Sequence, residues 1–224
     1  MDLKTTQLLD LSHSMAGEYL AQFEYPWQAL EGIKEMILTV GAALPKEEYD
    51  EVSPNVWVHK SAVVAPTAYL GAPCIIGPET EVRHCAFIRG SAMVGFHCVV
   101  GNSVELKNVI IFDNVQVPHY NYVGDSILGY RSHMGAGALT CNVKSDKTLV
   151  VIRDGETRIE TGRKKVGAIL GDYVEIGCNS VLNPGVIIGR HTNVYPGSAV
   201  RGVIPANSIY KRESEVVTRK EGSC

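Results

Sequence analysis

The chain has 224 residues, of which 45% are hydrophobic, so it can bury a sizeable core and is not a disordered chain. Its formal net charge of −3 argues against a surface built wholly for nucleic acid. We expect a cytoplasmic protein without nucleic-acid or membrane partners. The chain opens with no secretory signal, has no apolar run long enough to span a bilayer, and places its 6 cysteines at no disulfide spacing. Its 22 glycines and only 4 phenylalanines suggest a repetitive aliphatic core.

Residues 1–55 show no repeat and are predicted to form a helical appendage. Apolar side chains recur within them at helical spacing, at Trp27, Leu30, Ile33, Ile37 and Val40. With a proline before this stripe and a glycine after it, the pattern predicts a helix over 26–40. We expect residues 1–15 to be less regular and the acidic run 47–51 to be a solvated connector.

From residue 56 to residue 211 the chain follows a six-residue period. Stepping by six along the first part gives nine aliphatic positions in succession: Val58, Val64, Leu70, Ile76, Val82, Ile88, Val94, Val100 and Leu106. Two five-residue steps and one long interruption shift the register, and the full set has 21 phased positions, of which only Thr140 is not apolar. A second column of mostly small or β-branched residues lies four residues after the first, and glycine often follows the aliphatic residue directly.

A period of six excludes an α-helix, whose faces recur every 3.6 residues. It favours a three-sided coil of short strands, in which one aliphatic and one small side chain of each hexad point inward. Three hexads make an 18-residue coil, so 21 hexads predict an all-β, single-stranded parallel β-helix of about seven coils over 56–211. Residues 212–224 are predicted to be a C-terminal tail. We interpret the glycine beside each aliphatic residue as lying near a turn that requires a positive φ. The spacing leaves the hand of the helix open.

The repeat is interrupted at 143–165, which is predicted to be an extruded loop. This segment carries seven basic and four acidic side chains, a local charge of +3. An insertion of 23 residues in so regular a repeat is costly to order and is often functional. Two interpretations stay open: a β-hairpin with a solvated charged face, or an arm that covers a neighbouring subunit or a phosphate-bearing ligand.

The hexads resemble those of the hexapeptide-repeat acyltransferases. Residues 76–142 contain the segments IRGSAMVGFHCVVGNSVELKN, HYNYVGDS and MGAGALTCN. The motifs H-x-x-Y-x-G-D and T-C-N within them are similar to those of the acetyltransferase domain of the bifunctional UDP-N-acetylglucosamine pyrophosphorylase/glucosamine-1-phosphate N-acetyltransferases. The likeness covers most of 56–211.

This resemblance implies a left-handed β-helix, a homotrimer, and acetyl-CoA-dependent N-acetyl transfer to an amino-sugar phosphate or a related sugar nucleotide. The chain looks most like a stand-alone, pyrophosphorylase-like relative of these enzymes. Because no glycine-rich nucleotidyltransferase segment opens the sequence, we expect no nucleotidyl transfer from it.

The matching positions imply how the acceptor is held. His119 stands where the family has its general base, and an imidazole, with an ordinary pKa of about 6.5, suits proton abstraction at neutral pH. Arg89 and Lys107 match the basic residues that hold the sugar phosphate. Glu105 falls near them and could orient His119 or Lys107. The other substrate contacts that the resemblance implies are Tyr122, His133 and Asn142.

For acetyl-CoA, the family uses backbone amides of adjacent coils and a late basic residue. The positions that the resemblance implies as cofactor contacts are Ala136, Asn142, Val143, Cys178, Pro196 and Lys211. Amides directed at the thioester oxygen would stabilise an oxyanion. No metal is expected, since a related group of zinc enzymes uses two histidines five residues apart and no two of the 7 histidines here have that spacing.

Three hypotheses for the function stay open. The first is a trimeric N-acetyltransferase for an amino-sugar phosphate. The second is a non-catalytic β-helix that binds a sugar nucleotide or scaffolds a nucleotidyltransferase partner through the N-terminal helix. The third is an acyltransferase with another acceptor. The intact H-x-x-Y favours the first, whereas the loop 143–165 and the departures from the family at His133 and Val143 favour the second.

Overall fold

The computed structural model describes residues 1–212 and 215–219. From Val56 onward, short parallel strands wind around a three-sided prism, and each strand pairs with the one a coil later, as the six-residue period predicts. The predicted tail, 212–224, lies mostly outside the described residues. Its described part forms a strand, Glu215–Thr218, that pairs antiparallel with Ser208–Arg212.

Each face of the prism is one stack of strands. The first face contains Val56–His59, Cys74–Ile76, Ala92–Val94, the second halves of Glu105–Ile111 and Tyr122–Leu128, Ala168–Leu170, Val186–Ile188 and Val203–Ile204. The second face contains Val63–Val64, Glu81–Val82, Val99–Asn102, Gln116–His119, His133–Met134, Glu175–Ile176, Asn193–Val194 and Ser208–Arg212. The third face contains Tyr69–Leu70, Phe87–Ile88, the first halves of Glu105–Ile111 and Tyr122–Leu128, Leu139–Thr140, Val181–Leu182 and Ala199–Val200.

The prism is slightly taller than the seven coils predicted. Over the described residues, the first and second faces each have eight layers and the third face has seven. The difference arises because the ladder continues past the last hexad counted in the sequence. The strands Val203–Ile204 and Ser208–Arg212 add a layer to the first and second faces.

The glycines beside the aliphatic column lie next to turns, as interpreted, but the expectation of a positive φ is wrong. A Cβ on Gly77 would lie 2.4 Å from the carbonyl oxygen of Gly95 in the next coil, and one on Gly177 would lie 2.4 Å from the nitrogen of Pro196. These two glycines do not have positive φ; the left-handed conformation occurs at the corners, mostly on other residue types. Glycine is therefore needed beside the aliphatic residue because successive coils approach closely there.

On the first face, both the inward-pointing and the outward-pointing side chains are mostly aliphatic, and both sets are buried. The outward-pointing ones lie one residue before each inward aliphatic position and include Ile75, Met93, Ile110, Ile127, Ile169 and Ile187, all fully buried. Elements from both appendages contact this face: the helix Ile33–Ala43, the 3₁₀ segment Pro26–Glu31 and the hairpin strand Val151–Asp154. The first face is thus covered within the chain.

Residues 1–55 form several short helical elements before the strand Tyr49–Ser53. They are Thr5–Leu8, a 3₁₀ turn Leu11–His13, Gly17–Leu20, the 3₁₀ segment Pro26–Glu31 and the α-helix Ile33–Ala43. The helix predicted over 26–40 is interrupted at Gly32, where a Cβ would lie 2.5 Å from the hydroxyl of Tyr19. That hydroxyl donates to the carbonyl of Ala29 at 2.6 Å. Among helices in the described ranges, none is long and apolar enough to cross a membrane.

The acidic side chains of the run 47–51 are exposed, as predicted, but the run is not a simple connector. Tyr49–Ser53 forms an edge strand that pairs antiparallel with Val56–His59. Tyr49 is buried and makes an edge-on ring contact with His59, at 4.8 Å between centroids. The prism therefore begins with a short antiparallel strand at its open end, which shields the first layer.

Asp172 ties the N-terminal segment to the prism. Its buried carboxylate accepts hydrogen bonds from the backbone N–H of Asp10 at 2.8 Å and of Tyr130 at 2.9 Å, and it pairs with Arg190 at 3.0 Å. Burial raises the pKa of Asp172, and the Arg190 guanidinium partly opposes that effect. The N-terminal segment is therefore anchored to the coils of the prism by buried polar contacts as well as by apolar packing.

The insertion 143–165 is a β-hairpin that is only partly extruded. Its strands, Val151–Asp154 and Thr157–Glu160, pair antiparallel. Val150 and Ile152 are buried, whereas the tip is exposed. One edge of the hairpin is therefore part of the core, and only its far end matches the predicted extruded loop.

Because the first face is covered, truncating an outward side chain there should cost more stability than the same kind of change on the second face. Ile75→Ala removes a fully buried outward side chain, so we expect the free energy of unfolding to fall by about 2–5 kcal/mol. Val63→Ala is the matched control on the second face, where the outward valine is 65% exposed; its effect should stay within about 0.5 kcal/mol. Urea unfolding of both variants measures this, and equal losses would contradict a covered first face.

Candidate active site

The coils bring four of the predicted site residues together at the edge between the third and first faces. Lys107 pairs with Gly124 of the next coil, and Glu105 pairs with Tyr122. The backbone N–H of Arg89 donates to Leu106 at 2.8 Å, which places Arg89 one coil before Lys107. Since equivalent positions of parallel coils stack directly, residues far apart in sequence become neighbours here.

Both cations of this cluster are paired with carboxylates. Arg89 donates to Glu105 at 2.7 Å, and Lys107 lies 3.4 Å from Asp125. The hydrogen bond from Arg89 to Glu105 and the charge of that carboxylate raise the pKa of Arg89. Glu105 therefore contacts Arg89 and not His119 or Lys107, the two residues that the sequence suggested it could orient.

Asp125 is the centre of the cluster. Its carboxylate is 96% shielded from solvent and accepts hydrogen bonds from Asn142 at 2.5 Å and from Asn108 at 2.9 Å, besides the Lys107 contact. Asp125 and Asn108 both occupy corner positions with left-handed backbone, at φ 49° and 55°, which Asp and Asn tolerate better than most residues. Asn108 also donates to the carbonyl of Leu30 at 3.1 Å, so the N-terminal segment contacts the site directly.

The side chain of Tyr122 packs over Gly124, and Asn142 links its hydroxyl to the carboxylate of Asp125. The Tyr122 hydroxyl accepts a hydrogen bond from Asn142 at 3.2 Å, and a Cβ on Gly124 would lie only 2.4 Å from the same hydroxyl. Burial raises the pKa of Tyr122, and the negative charges of Asp125 and Glu105 raise it further. The phenol is therefore protonated at neutral pH and can donate to a ligand.

His119 ends a strand of the second face, three residues before Tyr122 begins the next strand on the third face. Its side chain is exposed. Its carbonyl accepts from the N–H of Gly137 at 2.9 Å, so His119 occupies the corner one coil before the segment that contains Ala136. An exposed imidazole at this corner is free to meet a ligand that lies along the third face.

The predicted cofactor positions stack at that same corner. The carbonyl of Ala136 accepts from Asn179 at 2.8 Å, and that of Cys178 accepts from Gly197 at 2.8 Å, so Ala136, Cys178 and Pro196 follow one another in successive coils. The backbone N–H groups of Ala136 and Cys178 donate to no acceptor among the described residues. These two N–H groups lie one coil (Ala136) and two coils (Cys178) after His119. Pro196, one coil further on, has no N–H to offer.

Three other predicted contacts lie elsewhere in the chain. His133 is on the second face, with Nδ1 at 2.9 Å from Glu175, and is not part of the cluster around Asp125. Val143 is exposed at the start of the insertion, and Lys211 pairs with Glu215 at 2.8 Å near the last coil. Within the residues described, no group of three or more His, Cys, Asp or Glu is arranged to hold a metal ion.

Comparison with protein families shows that the candidate site lies in a region shared with a known family. The profile described as the GMPPB C-terminal domain matches residues 73–194, which is more than half of the chain. The chain belongs to the GMPPB C-terminal domain family. The matched region contains every member of the cluster around Asp125, together with His119, Ala136 and Cys178, and it ends just before Pro196. The candidate site is therefore part of the family region rather than of the appendages.

Curated relatives resemble the same region. The bifunctional sugar-1-phosphate nucleotidylyltransferase/acetyltransferase of Sulfurisphaera tokodaii is 35% identical over 106 residues, 47% of this chain and 26% of that protein. The bifunctional protein GlmU of Methanococcus maripaludis is 34% identical over 116 residues, 51% of this chain and 28% of that protein. The aligned part thus spans little more than a quarter of each relative.

Solved structures of other proteins align with part of this chain. A hexapeptide transferase family protein from Anaplasma phagocytophilum aligns with a TM-score of 0.41 at 12% identity, covering 74% of this chain and 79% of that chain. A mutant of AntD, an N-acyltransferase from Bacillus cereus in complex with dTDP and coenzyme A, aligns with a TM-score of 0.38 at 19% identity, covering 75% of this chain and 82% of that one.

Two members of the cluster were missed by reasoning from the sequence. Asp125 is the last letter of H-x-x-Y-x-G-D, and that motif signalled its presence without assigning it a partner. Asn108 carried no signal beyond its place after Lys107, because its two acceptors, Asp125 and the Leu30 carbonyl, come from another coil and from the N-terminal segment.

Asp125→Asn tests whether this carboxylate organises the cluster. An amide offers one acceptor oxygen to three donors and directs its own N–H₂ toward them, so we expect a loss of about 1–3 kcal/mol in the free energy of unfolding. Asp146→Asn is the matched control, because Asp146 also contacts a lysine and a backbone N–H but is 58% exposed. Its unfolding midpoint in the same urea titration should match that of the wild type, because solvent screens an exposed ion pair.

Proposed function

We propose that the chain is an acetyl-CoA-dependent N-acetyltransferase that acts on an amino-sugar phosphate of the glucosamine-1-phosphate type. The observation that carries the proposal is the convergence of Arg89, Lys107, Tyr122 and Asn142 at one edge of the third face, with His119 at the opposite corner of that face. Support also comes from relatives whose names combine nucleotidylyltransferase and acetyltransferase activities.

The acceptor would bind with its phosphate against Arg89 and Lys107. A phosphate dianion competes with Glu105 and Asp125 for these cations, and the guanidinium can exchange one bidentate oxygen partner for another. Tyr122 would donate to the sugar, since its phenol is protonated at neutral pH. Asn142, held by Asp125, would keep a fixed orientation beside the sugar, which lowers the entropic cost of binding.

His119 would act as the general base. As the sugar amine attacks the thioester carbon of acetyl-CoA, the imidazole takes a proton from the nitrogen, the C–S bond breaks, and coenzyme A leaves as the thiolate, which is then protonated. The free N–H groups of Ala136 and Cys178 would donate to coenzyme A or to the thioester oxygen as negative charge develops there. Val143, Pro196 and Lys211 would line the rest of the cofactor path.

The proposal includes a homotrimer in the cytoplasm. The first face is covered by the chain itself, so two faces remain for contacts between subunits. Exposed Tyr69 and Phe87, whose rings lie 5.6 Å apart on the third face, and exposed Val63 on the second offer apolar surface for such contacts. A site that opens onto the third face would then lie between two subunits, where His133 of the second face could also reach the substrate.

A second candidate function is a non-catalytic sugar-nucleotide-binding module, alone or beside a nucleotidyltransferase partner. One observation favours it: both cations assigned to the phosphate already have carboxylate partners, which weakens their attraction for an incoming anion. An acyltransferase with another acceptor stays the third hypothesis.

His119→Ala tests the proposed base. We expect the rate of thiol release from acetyl-CoA in the presence of glucosamine-1-phosphate to fall about 100-fold or more, since proton abstraction would pass to water. His84→Ala is the matched control: Asn102 hydrogen-bonds its carbonyl, which places this exposed histidine two coils earlier in the same corner column. That variant should keep the full rate. Equal rates for wild type and His119→Ala would remove the role of His119, and binding of the sugar nucleotide without turnover would favour the second candidate.

Alkylation of cysteines tests the cofactor position independently of turnover. Cys178 and Cys85 are exposed, whereas burial raises the pKa of Cys74 and Cys98 to about 12, which keeps both thiols unreactive. Saturating acetyl-CoA should slow iodoacetamide modification of Cys178 at least about fivefold and leave Cys85 unchanged, as measured by peptide mass spectrometry. Equal protection at both, or at neither, would contradict the position assigned to acetyl-CoA.

A further inference from the structure

A cleft of about 410 Å³ lies between the hairpin and the last coils of the prism. Its cationic lining comes from three separate segments: Lys144 before the hairpin, Arg153 on its first strand, and Arg201 after a strand of the third face. Asn183, one coil before Arg201, lines it as well. We call this the basic cleft. Neither the cluster around Asp125 nor the corner of Ala136 and Cys178 contributes to its walls.

The hairpin packs closely against the prism at two glycines, Gly185 and Gly202, and this contact fixes the backbone position of Arg153. Gly202 has φ +70°, and a Cβ there would lie 2.8 Å from the carbonyl oxygen of Arg153. Gly185 has φ +78°, and a Cβ there would lie 2.7 Å from the side chain of buried Val150. Because both backbones approach this closely, the cleft is a built feature of the fold and not a gap beneath a loose loop.

The charges in the basic cleft are poorly compensated. None of the carboxylates in the described ranges, 1–212 and 215–219, lines it. Lys144 has a partner of its own in Asp146 at 3.4 Å, but neither Arg153 nor Arg201 forms an ion pair with any described residue. Burial raises the pKa of the Cys141 thiol, and the positive charge of Arg201 partly opposes that effect. Arg153 and Arg201 thus line one cleft without an ion-pair partner among the described residues. Like charges this near repel each other, and an anion bound between them would relieve that repulsion.

The contrast with the candidate active site is chemical as well as positional. There, Arg89 and Lys107 each have a carboxylate within ion-pair distance. In the basic cleft, the guanidinium groups are free to present N–H pairs in the fork geometry that matches phosphate oxygens. A volume of about 410 Å³ is at the lower end of the range for small-molecule sites, enough for part of a ligand.

We infer that the basic cleft is a second anion-binding site, which takes the phosphate or diphosphate group of a larger ligand. Arg153 from the hairpin and Arg201 from the coils hold the anion, and Lys144 adds a third positive charge. A sugar nucleotide and coenzyme A both contain a diphosphate group, and that group is what the cleft recognises. Anion binding here goes beyond the proposed acetyl transfer and does not depend on it.

Inorganic pyrophosphate is the probe for the first test. Isothermal titration calorimetry at low ionic strength should show binding to the wild-type protein and about 10-fold weaker binding for each of Arg153→Gln and Arg201→Gln. Arg158→Gln is the matched control: it pairs across the hairpin with Arg153 and removes the same charge, but Arg158 does not line the cleft. Its affinity should stay within about twofold of wild type.

Absence of pyrophosphate binding, or an equal loss for Arg158→Gln, would overturn the proposal, because the hairpin would then attract anions only through its net charge. All three arginines are at the surface, and equal unfolding midpoints for the variants would show that any loss is local. The readout needs neither acetyl-CoA nor an amino sugar, so a failed acetyltransferase assay leaves this result unaffected.

Competition distinguishes the two sources of the diphosphate. Displacement of bound pyrophosphate by UDP, and not by coenzyme A, assigns the cleft to a sugar nucleotide. Displacement by coenzyme A, and not by UDP, assigns it to the cofactor. Displacement by both supports a general diphosphate site, and displacement by neither would overturn the assignment to a larger organic ligand.

Discussion

The stacking of each coil on the next is the constraint on which the rest of this structure depends. A parallel ladder closes around the prism only if equivalent positions of successive coils coincide, and a shift of one residue would turn inward side chains outward. The close approach at Gly77, where a Cβ would lie 2.4 Å from the next coil, shows how little space separates the layers. The same stacking brings Arg89, Lys107 and Asn142 from three different coils to one edge.

At that edge, a single buried carboxylate determines the local arrangement. Asp125 accepts from Lys107, Asn108 and Asn142, so it orients one cation and two amides at once. Because Asn108 also binds the Leu30 carbonyl, the site is coupled to the N-terminal segment through one side chain. The buried negative charge of Asp125 is tolerated because Lys107, Asn108 and Asn142 all direct N–H groups at its carboxylate oxygens. Exposed His119 lies outside this network, and half-buried Tyr122 lies at its margin, where its hydroxyl accepts a hydrogen bond from Asn142.

Much of the fold was predictable because each hexad repeats the same physical choice, a large aliphatic side chain pointing inward at a fixed spacing. The covered first face was also encoded, since Ile75, Met93 and Ile110 form a second apolar column that an exposed face would not need. The prediction of one helix over 26–40 failed because a helical stripe does not show a close contact from elsewhere, here that of Gly32 with Tyr19. The candidate site was predictable only where a motif resembled known proteins, so Asp125 and Asn108 received no partners.

The sequence by itself determined the period, the strand positions, the interruption at 143–165 and the residues that match an acetyltransferase motif. These are local properties, and a repeat displays them many times over. Only the tertiary structure decided which charges are compensated. Arg89 and Lys107 have carboxylate partners, whereas Arg153 and Arg201 line an open cleft and pair with no carboxylate in the part of the chain that the structure describes. The reason is that an ion pair depends on distances of a few ångströms between residues from different coils, and those distances exist only after the coils have stacked.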